Sequence, residues 1–400
     1  MKEIKTQLGE RHRPSGVNTR FTGENLPFPE YVRRTVEMLR RLHAGKDDAE
    51  TAETAETTET KVAGNAPFEL LPLGDFQKGR TKPFRRGVLL THGMLDSPYH
   101  MRHLAACFQR QGFRVMAVLL PGHGTRPGDL LGVDRREWAR AVAYGAQCVA
   151  AEAEEVYLAG FSVGATLSVL HAALDARVCG LFLFSPALEI DAHAAWAGLH
   201  RWYSWLIPKA AWLKILPDRD PYKYESLCKN AVAQVYALTQ ALPHALPHAL
   251  PQEGTDIPVF AAASADDTTV RAEGTLRFMR RARHPRNQLV WYATERTEEP
   301  GVEWVNSALP SRRILGSAHT AVVIPPEDPH YGENGGYANC LHYYPQDPET
   351  YASCLAGPDE MWKGEITRRN LERGLLRRLT YNPHFAAMEE SMAKFIRGLP

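Results

Sequence analysis

The sequence is poor in cysteine, has no long apolar run and carries no excess of either charge. Its six cysteines are few for 400 residues and none stands in a Cys-x-x-Cys pair, so no disulfide framework is indicated. The formal net charge of +1 gives no electrostatic reason to expect nucleic acid as a partner. No apolar run approaches the roughly 18–20 residues of a membrane span, and residues 1–20 are polar, without a secretory signal. These absences predict a soluble cytoplasmic protein.

The apolar content and the placement of the cysteines are informative about the core. With 44% apolar residues, the chain can bury one large α/β domain or two smaller ones. Cys340 and Cys354 flank a polar, tyrosine-rich loop and could pair, although a reducing cytosol favours free thiols. Four cysteines lie in helix-like or strand-like segments and are predicted to be reduced packing residues: Cys107, Cys148, Cys179 and Cys228.

The first 66 residues differ in composition from the rest and are predicted to be an N-terminal extension. Residues 1–29 are polar and contain proline and glycine, so little packed structure is expected there. Residues 31–43 have apolar side chains at helical spacing among arginines, which predicts an amphipathic helix. Residues 47–61 repeat Glu, Thr and Ala and predict a disordered linker, with a helix as the alternative.

Residues 67–400 alternate between short apolar runs and helix-like segments. Continuous apolar strands separated by helices predict an α/β fold with a mostly parallel central sheet and helices on both faces. His92, Ser162 and the pair Asp266 and Asp267 each come directly after a predicted strand, so they should meet at one edge of the sheet. The predicted strands are residues 86–91, 114–120, 155–161, 178–184 and 258–263.

The segment Gly160-Phe161-Ser162-Val163-Gly164 lies between a predicted strand and a predicted helix. This context is the one that a G-x-S-x-G nucleophile elbow requires, with the serine hydroxyl on a sharp, strained turn. The helix that follows would place backbone N–H groups where an oxyanion forms. A Gly-Ser turn between buried elements is the alternative interpretation.

Five motifs together resemble the α/β-hydrolase superfamily, in its monoacylglycerol lipase and carboxylesterase branch of the serine aminopeptidase S33 type. They are Thr91-His92-Gly93-Met94, Leu120-Pro121-Gly122-His123-Gly124-Thr125, the Ser162 elbow, Asp267-Thr268-Thr269-Val270 and Ser317-Ala318-His319. The resemblance covers roughly residues 67–324, with a closing helix at 385–396. It implies an α/β-hydrolase fold.

The resemblance also implies the roles of the site residues. Ser162 would be the nucleophile and His319 the base, and the backbone N–H groups of Met94 and Val163 would form the oxyanion hole. His319 should follow a strand that ends at residues 317–319. Asp267 fits the D-x-x-V pattern of the branch and is preferred as the acid, while Asp266 remains the alternative.

Three stretches depart from the family pattern. Residues 188–256, within a 67–400 domain, crowd tryptophans and tyrosines and are predicted to form a helical lid, although these aromatics could serve packing alone. Within them an Ala-Leu-Pro-His repeat holds His244 and His248, but its prolines should break the helix that a metal site would need. Residues 287–310 are an added stretch before the histidine, and residues 325–384 form a post-histidine insertion.

These features predict a serine esterase or lipase-like hydrolase that uses no cofactor and no metal. Its substrate would be a small-molecule acyl ester such as a monoacylglycerol or lysolipid. An aminopeptidase, a thioesterase or another acyl hydrolase would use the same machinery, since fold alone does not fix function. A non-catalytic, hydrolase-like binding protein is the remaining alternative, and the intact Ser, Asp and His in order argue against it.

Overall fold

A computed structural model describes residues 7–43, 55–73, 82–202, 206–249, 257–282 and 284–399. The chain forms two compact units. The elbow unit comprises Gln7–Gly180 and Ala192–Ala249, and the histidine unit comprises Leu181–Asp191 and Leu250–Pro400. In the described ranges, no helix combines the length and apolarity needed to cross a membrane.

The elbow unit is built on four strands in the order β1-β3-β2-β4. They are β1 (Phe68–Leu70), β2 (Phe84–Thr91), β3 (Phe113–Val118) and β4 (Ala153–Phe161), and β5 (Val178–Phe184) then carries the chain into the histidine unit. β2 runs parallel to β3 and β4, whereas β1 is antiparallel to β3. The ends of β2 and β4 are buried apolar runs, the pattern of a sheet covered on both faces.

In its described part, the elbow unit also contains six α-helices and a short two-stranded ribbon. They are α1 (Phe28–His43), α2 (Ala55–Asn65), α3 (Arg102–Arg110), α4 (Arg135–Glu152), α5 (Val163–Ala172), β6 (Trp212–Lys214), β7 (Leu227–Cys228) and α6 (Lys229–Ala249). α4 begins where the Asp134 carboxylate accepts the Arg136 N–H. Gly145 lets α4 approach the sheet, since a Cβ there would lie 2.5 Å from Leu89.

The N-terminal extension is packed from residue 7 onward, so the expectation of little structure in residues 1–29 is wrong for its described part. Asn18 Nδ2 donates to the carbonyls of Leu120 (3.3 Å) and His123 (2.8 Å), and the Gly122 N–H donates to the Asn18 carbonyl. Ser15 donates twice to the buried Asp129 carboxylate. The segment is held by polar side chains that satisfy core backbone groups, which an apolar periodicity does not reveal.

The predicted linker differs from the structure where it is described. Residues 47–54 lie outside the described residues, but residues 55–61 belong to α2, so the prediction of disorder is wrong there. Val62 of α2 is buried against Leu39 of α1 and Leu119, and Arg40 forms a bidentate ion pair with Glu59. Tertiary packing and the helix propensity of Ala and Glu outweigh the threonines.

Asn18→Ala is expected to lower the free energy of unfolding by about 2–4 kcal/mol, because two buried carbonyls lose a donor and alanine is strained at the left-handed φ of 49°. Urea unfolding measures the change. The exposed Arg20 offers a control, since Arg20→Ala should alter stability by less than about 0.5 kcal/mol. Equal effects of the two variants would contradict an anchoring role for Asn18.

The histidine unit contains four parallel strands in the order β5-β8-β9-β10. Its elements are β8 (Val259–Ser264), α7 (Ala272–Arg281), β9 (Gln288–Ala293), β10 (Val302–Asn306), α8 (Pro348–Ala356), β11 (Trp362–Gly364), α9 (Arg368–Leu371), β12 (Leu376–Arg378) and α10 (Phe385–Arg397). α10 packs against β8 and β9. The predicted mostly parallel α/β architecture is confirmed in both units.

His319 does not follow a strand that ends at residues 317–319, and that prediction is wrong. The stretch 287–310, interpreted as an addition, holds β9 and β10, and Ile314 forms only isolated bridges. Arg313 adopts a left-handed φ of 53°, which interrupts an extended run before it can pair. His319 instead ends a loop and precedes a single 3-10 turn, Thr320–Val323.

Cys340 and Cys354 are joined by a disulfide in the post-histidine insertion, where the sequence favoured free thiols. The bridge lies in a small apolar cluster with Tyr351 and Met361. Closing a loop of 14 residues contributes on the order of 3 kcal/mol by restricting the unfolded chain. The bridge therefore supplies stability that this polar segment cannot draw from a large core of its own.

Helix α6 runs through the Ala-Leu-Pro-His repeat as far as Ala249, so the expectation that its prolines break the helix is wrong. Each proline removes one backbone hydrogen bond, while the alanines and leucines between Pro243 and Pro247 favour the helix. Residues 188–256 divide between the units, and Ala192–Ala249 packs within the elbow unit, where α6 contacts α5. We refer to Ala192–Ala249 as the lid segment.

Candidate active site

Ser162 is held in a strained turn between β4 and α5. Its backbone has φ 54° and ψ −116°, a conformation that costs a non-glycine residue on the order of 1–3 kcal/mol. The residue is 6% exposed and immediately precedes the first residue of α5. Strand, strained serine and helix thus follow one another as the sequence predicts for a nucleophile elbow.

Two glycines make this turn sterically feasible. A Cβ on Gly160 would lie 2.3 Å from the Ala165 nitrogen, and a Cβ on Gly164 would lie 2.1 Å from the Thr91 carbonyl oxygen. Neither contact is tolerable, so the close approach of β4, α5 and the end of β2 requires glycine at both positions. Thr91 is also the register partner of Gly160. The loop that begins at His92 therefore leaves the sheet beside the elbow.

Two neutral histidines fix the loop that carries Met94. His92 Nε2 accepts the Leu120 N–H at 3.0 Å, and His123 Nε2 accepts the Leu95 N–H at 3.1 Å. Burial, together with the neighbouring His123, lowers the pKa of His92 to about 3, and burial lowers the pKa of His123 to about 4. Both imidazoles therefore stay neutral. Their hydrogen bonds connect the His-Gly loop to the Pro-Gly-His-Gly turn.

The lid segment holds the same loop from a second side. The Tyr224 N–H donates to the Leu95 carbonyl at 2.8 Å, and Lys223 Nζ lies 3.4 Å from the buried Asp96 carboxylate. The backbone around Met94 is thus tied both to the core and to the lid segment. Val163, the other predicted oxyanion donor, is the first residue of α5, where helical N–H groups have no partner within the helix.

Asp267 and His319 form a close pair in the histidine unit. Asp267 Oδ2 lies 2.5 Å from His319 Nδ1, and both side chains are at most 5% exposed. Burial opposes ionisation of Asp267, but the adjacent His319 and the N–H groups of Val270 and Thr269 hold the pKa of this carboxyl below its ordinary value. An ionised carboxylate at this distance fixes the Nδ1–H tautomer of the imidazole and its orientation.

Asp266, the alternative acid, has different partners. Its Oδ2 accepts a hydrogen bond from Ser307 Oγ at 3.1 Å. The same carboxylate packs so closely on Gly316 that a Cβ at this glycine would collide with it. Burial raises the pKa of Asp266, and the Ser307 hydrogen bond only partly opposes it. The one-residue step after β8 therefore directs the two carboxylates to different neighbours.

The backbone of His319 is held at both of its polar groups by residues that the sequence analysis did not identify. Ser185 Oγ, at the end of β5, donates to the His319 carbonyl at 2.9 Å. The Glu365 carboxylate, from the post-histidine insertion, accepts the His319 N–H at 3.2 Å. Glu365 lies 46 residues along the chain in no recognisable motif, so no sequence signal marks it.

Within the described ranges, no set of three or more His, Cys, Asp or Glu side chains could hold a metal ion. His244 is exposed on α6, and the side chain of His248 lies outside what the structure describes. The chemistry that the described side chains can support is that of a nucleophile, a base and backbone donors. Ser162, Val163 and Met94 belong to the elbow unit, and Asp267 and His319 belong to the histidine unit.

Comparison with known proteins gives consistent similarities. Residues 82–296 match the family model described as serine aminopeptidase, S33. A thermostable monoacylglycerol lipase of Bacillus sp. (strain H-257) is 32% identical over 109 residues, which is 27% of this chain and 44% of that protein. The alignment thus spans less than half of that relative.

Solved structures with similar folds include two lipolytic proteins. The monoacylglycerol lipase of Paleococcus ferrophilus has a TM-score of 0.42 and 17% identity, covering 68% of this chain and 96% of that one. A metagenome-derived lipolytic enzyme has a TM-score of 0.46 and 21% identity, covering 61% and 88%. The family model alone spans more than half of the 400 residues. This chain therefore belongs to the serine aminopeptidase S33 family and has an α/β-hydrolase fold.

Proposed function

We propose that this protein is a serine hydrolase that cleaves carboxylic esters through an acyl-enzyme. The observation that carries the proposal is the strained backbone of Ser162 at the start of α5. A protein does not hold a serine in such a conformation without compensation from its surroundings, and here two obligatory glycines accommodate it. The paired Asp267 and His319 supply the base that a serine hydroxyl needs.

The proposed reaction proceeds in two steps. Ser162 Oγ attacks the acyl carbonyl while His319 Nε2 takes the hydroxyl proton, and the Met94 and Val163 N–H groups stabilise the oxyanion. The imidazolium then gives its proton to the departing alcohol, which leaves the acyl group on Ser162. Water, deprotonated by His319, then attacks this ester, and the imidazolium gives its proton to Ser162 Oγ as the bond to the acyl carbon breaks and the acid is released. Asp267 stabilises the imidazolium each time it forms.

The proposed substrates are monoacylglycerol-like or lysolipid-like esters, because the lid segment presents apolar side chains to solvent. Trp196 is 69% exposed, Leu206 65%, Ile207 59% and Leu213 50%. Large apolar side chains left exposed on one segment are typical of a surface that meets an apolar ligand. The curated relative that is a monoacylglycerol lipase supports the same class of substrate.

We expect kcat/KM to rise by roughly 10³–10⁴ from acetyl to octanoyl esters, because each added CH₂ contributes about 0.8 kcal/mol when it is buried. Kinetics on a series of chromogenic esters measure this slope. Changing Leu206 and Ile207 together to serine should flatten it. The control is Leu174→Ser, which alters a still more exposed leucine (85%) outside the lid segment and should leave the slope intact.

Thioesters and aminoacyl amides of matched acyl length complete the substrate panel. They are included because the family model carries the description of an aminopeptidase. Faster turnover of aminoacyl amides than of any ester would replace the esterase proposal with a peptidase. Absence of covalent labelling by a fluorophosphonate probe, with no turnover of any substrate, would favour a non-catalytic binding protein.

A further inference from the structure

Glu365 is a fully buried carboxylate at the end of β11. Its Oε2 accepts the His319 N–H at 3.2 Å, and its Oε1 accepts the Ile366 N–H at 2.8 Å. Burying a carboxylate is costly unless it is both paired and hydrogen bonded. The chain places this charge against the backbone of the residue that serves as the proposed base.

Arg378, on the adjacent strand, supplies the partner charge. β11 and β12 pair in parallel with Gly364 opposite Arg378, so the residue after Gly364 lies beside the guanidinium. Arg378 Nη2 donates to Glu365 Oε2 at 2.8 Å, and Nε lies 2.8 Å from Oε1. Burial would lower the pKa of Arg378, but the charges of Glu365 and Asp267 hold it above its ordinary value.

The same guanidinium also reaches the loop of the proposed acid. Arg378 Nη2 donates to Thr269 Oγ1 at 2.8 Å, and the Thr269 N–H donates to Asp267 Oδ1 at 2.8 Å. A closed path of polar contacts therefore runs from the His319 N–H through Glu365, Arg378 and Thr269 to Asp267, and back to His319 Nδ1. Every residue on this path belongs to the histidine unit.

We propose that Glu365 and Arg378 are positioning residues, acting through His319 and Asp267 to fix their geometry and to balance the charge around the imidazole. This inference rests on the proposed function of the pair as acid and base. It assigns a catalytic purpose to the post-histidine insertion, which lies beyond the matched residues 82–296 of the family model.

The charged groups near His319 determine whether a substitution favours or disfavours protonation of its imidazole. Asp267 and Glu365 contact His319 directly, and Arg378 contacts Glu365 and interacts electrostatically with Asp267. Asp266, Tyr337 and His342 interact electrostatically with Glu365 or Arg378, and Arg369 interacts with Asp266. A carboxylate near an imidazole favours the imidazolium and a guanidinium disfavours it, so the charges of Glu365 and Arg378 act in opposite directions. Removing one charge therefore exposes the other, and removing both restores the balance.

Glu365→Gln retains an oxygen that can accept the His319 N–H but leaves Arg378 uncompensated. We expect protonation of His319 to require a lower pH by about one pH unit, the effect of a unit charge several ångströms away in a protein. The acidic limb of the kcat/KM profile should move down equally. Adding Arg378→Met to this variant should return both midpoints toward the wild-type values.

The His319 midpoint is measured by NMR of histidine-labelled protein, with the signal assigned through His319→Asn, and the kinetic limb is measured in parallel. Glu333→Gln is the matched control, because it neutralises a carboxylate paired with Arg312 elsewhere in the insertion and should move neither midpoint. If Glu365→Gln does not fold, Arg378→Met alone replaces it, with a shift to higher pH expected.

An unmoved His319 midpoint in Glu365→Gln, or a double variant that fails to restore it, would overturn the inference and leave Glu365 a structural ion pair. Failure of the proposed function gives a different result. In that case the wild-type protein hydrolyses no ester, while the NMR midpoint still reports whether Glu365 and Arg378 control the imidazole.

Discussion

Ser162→Ala is expected to abolish fluorophosphonate labelling and to lower kcat for ester hydrolysis by roughly 10⁴–10⁶-fold, leaving only what oxyanion donors and binding contribute. The loss should appear in kcat rather than KM, because the hydroxyl forms its bond in the reaction and not on binding. Burst kinetics and intact-protein mass spectrometry would show whether an acyl-enzyme accumulates in the wild type.

Stability separates this result from misfolding. Alanine keeps the Cβ of serine, so the strain at φ 54° is the same in both proteins and the melting temperature should be nearly unchanged. Ser168→Ala is the matched control in α5, where the hydroxyl only donates to the Gly164 carbonyl. Undiminished hydrolysis by folded Ser162→Ala would mean that another residue is the nucleophile.

Asp267→Asn is expected to lower kcat by about 10⁴-fold, because the amide favours the wrong imidazole tautomer and no longer stabilises the imidazolium. This substitution alters the 2.5 Å hydrogen bond between Asp267 Oδ2 and His319 Nδ1. Steady-state kinetics between pH 5 and 9 measure the loss. The deficit should persist at high pH, since it arises from lost stabilisation of charge and not from a change in the starting protonation state.

Asp266→Asn provides a comparison one residue away. An amide oxygen can still accept the Ser307 hydroxyl, so this variant should lose less than about tenfold in kcat/KM. A large loss confined to Asp266→Asn would make Asp266 the acid and would remove the catalytic significance of the Asp267 contact.

The sequence revealed the elbow because its determinants are local. Gly160 and Gly164 lie within five residues of each other in one recognisable motif, and the contact that requires Gly160 lies within the following helix. The contact that requires Gly164, with the Thr91 carbonyl, is long-range, but the motif marks this glycine as well. His319 could be selected from chain order without knowing its surroundings. The strand assumed to precede it is absent, because the chain turns at Pro310–Arg313 and Ile314 pairs only through isolated bridges with Leu309 and Lys363.

Long-range polar contacts were not accessible to the same reasoning. Glu365 and Arg378 meet the proposed acid and base only because β11 and β12 set them side by side, and neither has a distinctive neighbourhood in the sequence. The N-terminal extension is a similar case. Its anchors are single hydrogen bonds to carbonyl groups, and composition predicts the absence of a core but not the presence of such bonds.

The distant partners of the N-terminal extension also bear on how the chain is made. Arg11 donates to the carbonyl of Pro217, and His12 lies 3.2 Å from the Ser226 hydroxyl, so these early residues await partners synthesised more than 200 positions later. At about 5–20 residues per second, the ribosome leaves them unpaired for roughly 10–40 s. A segment of charged and small polar residues can remain hydrated over that interval without exposing an apolar surface to other nascent chains. Its poverty in apolar side chains thus suits a segment that is synthesised well before its partners and docks late.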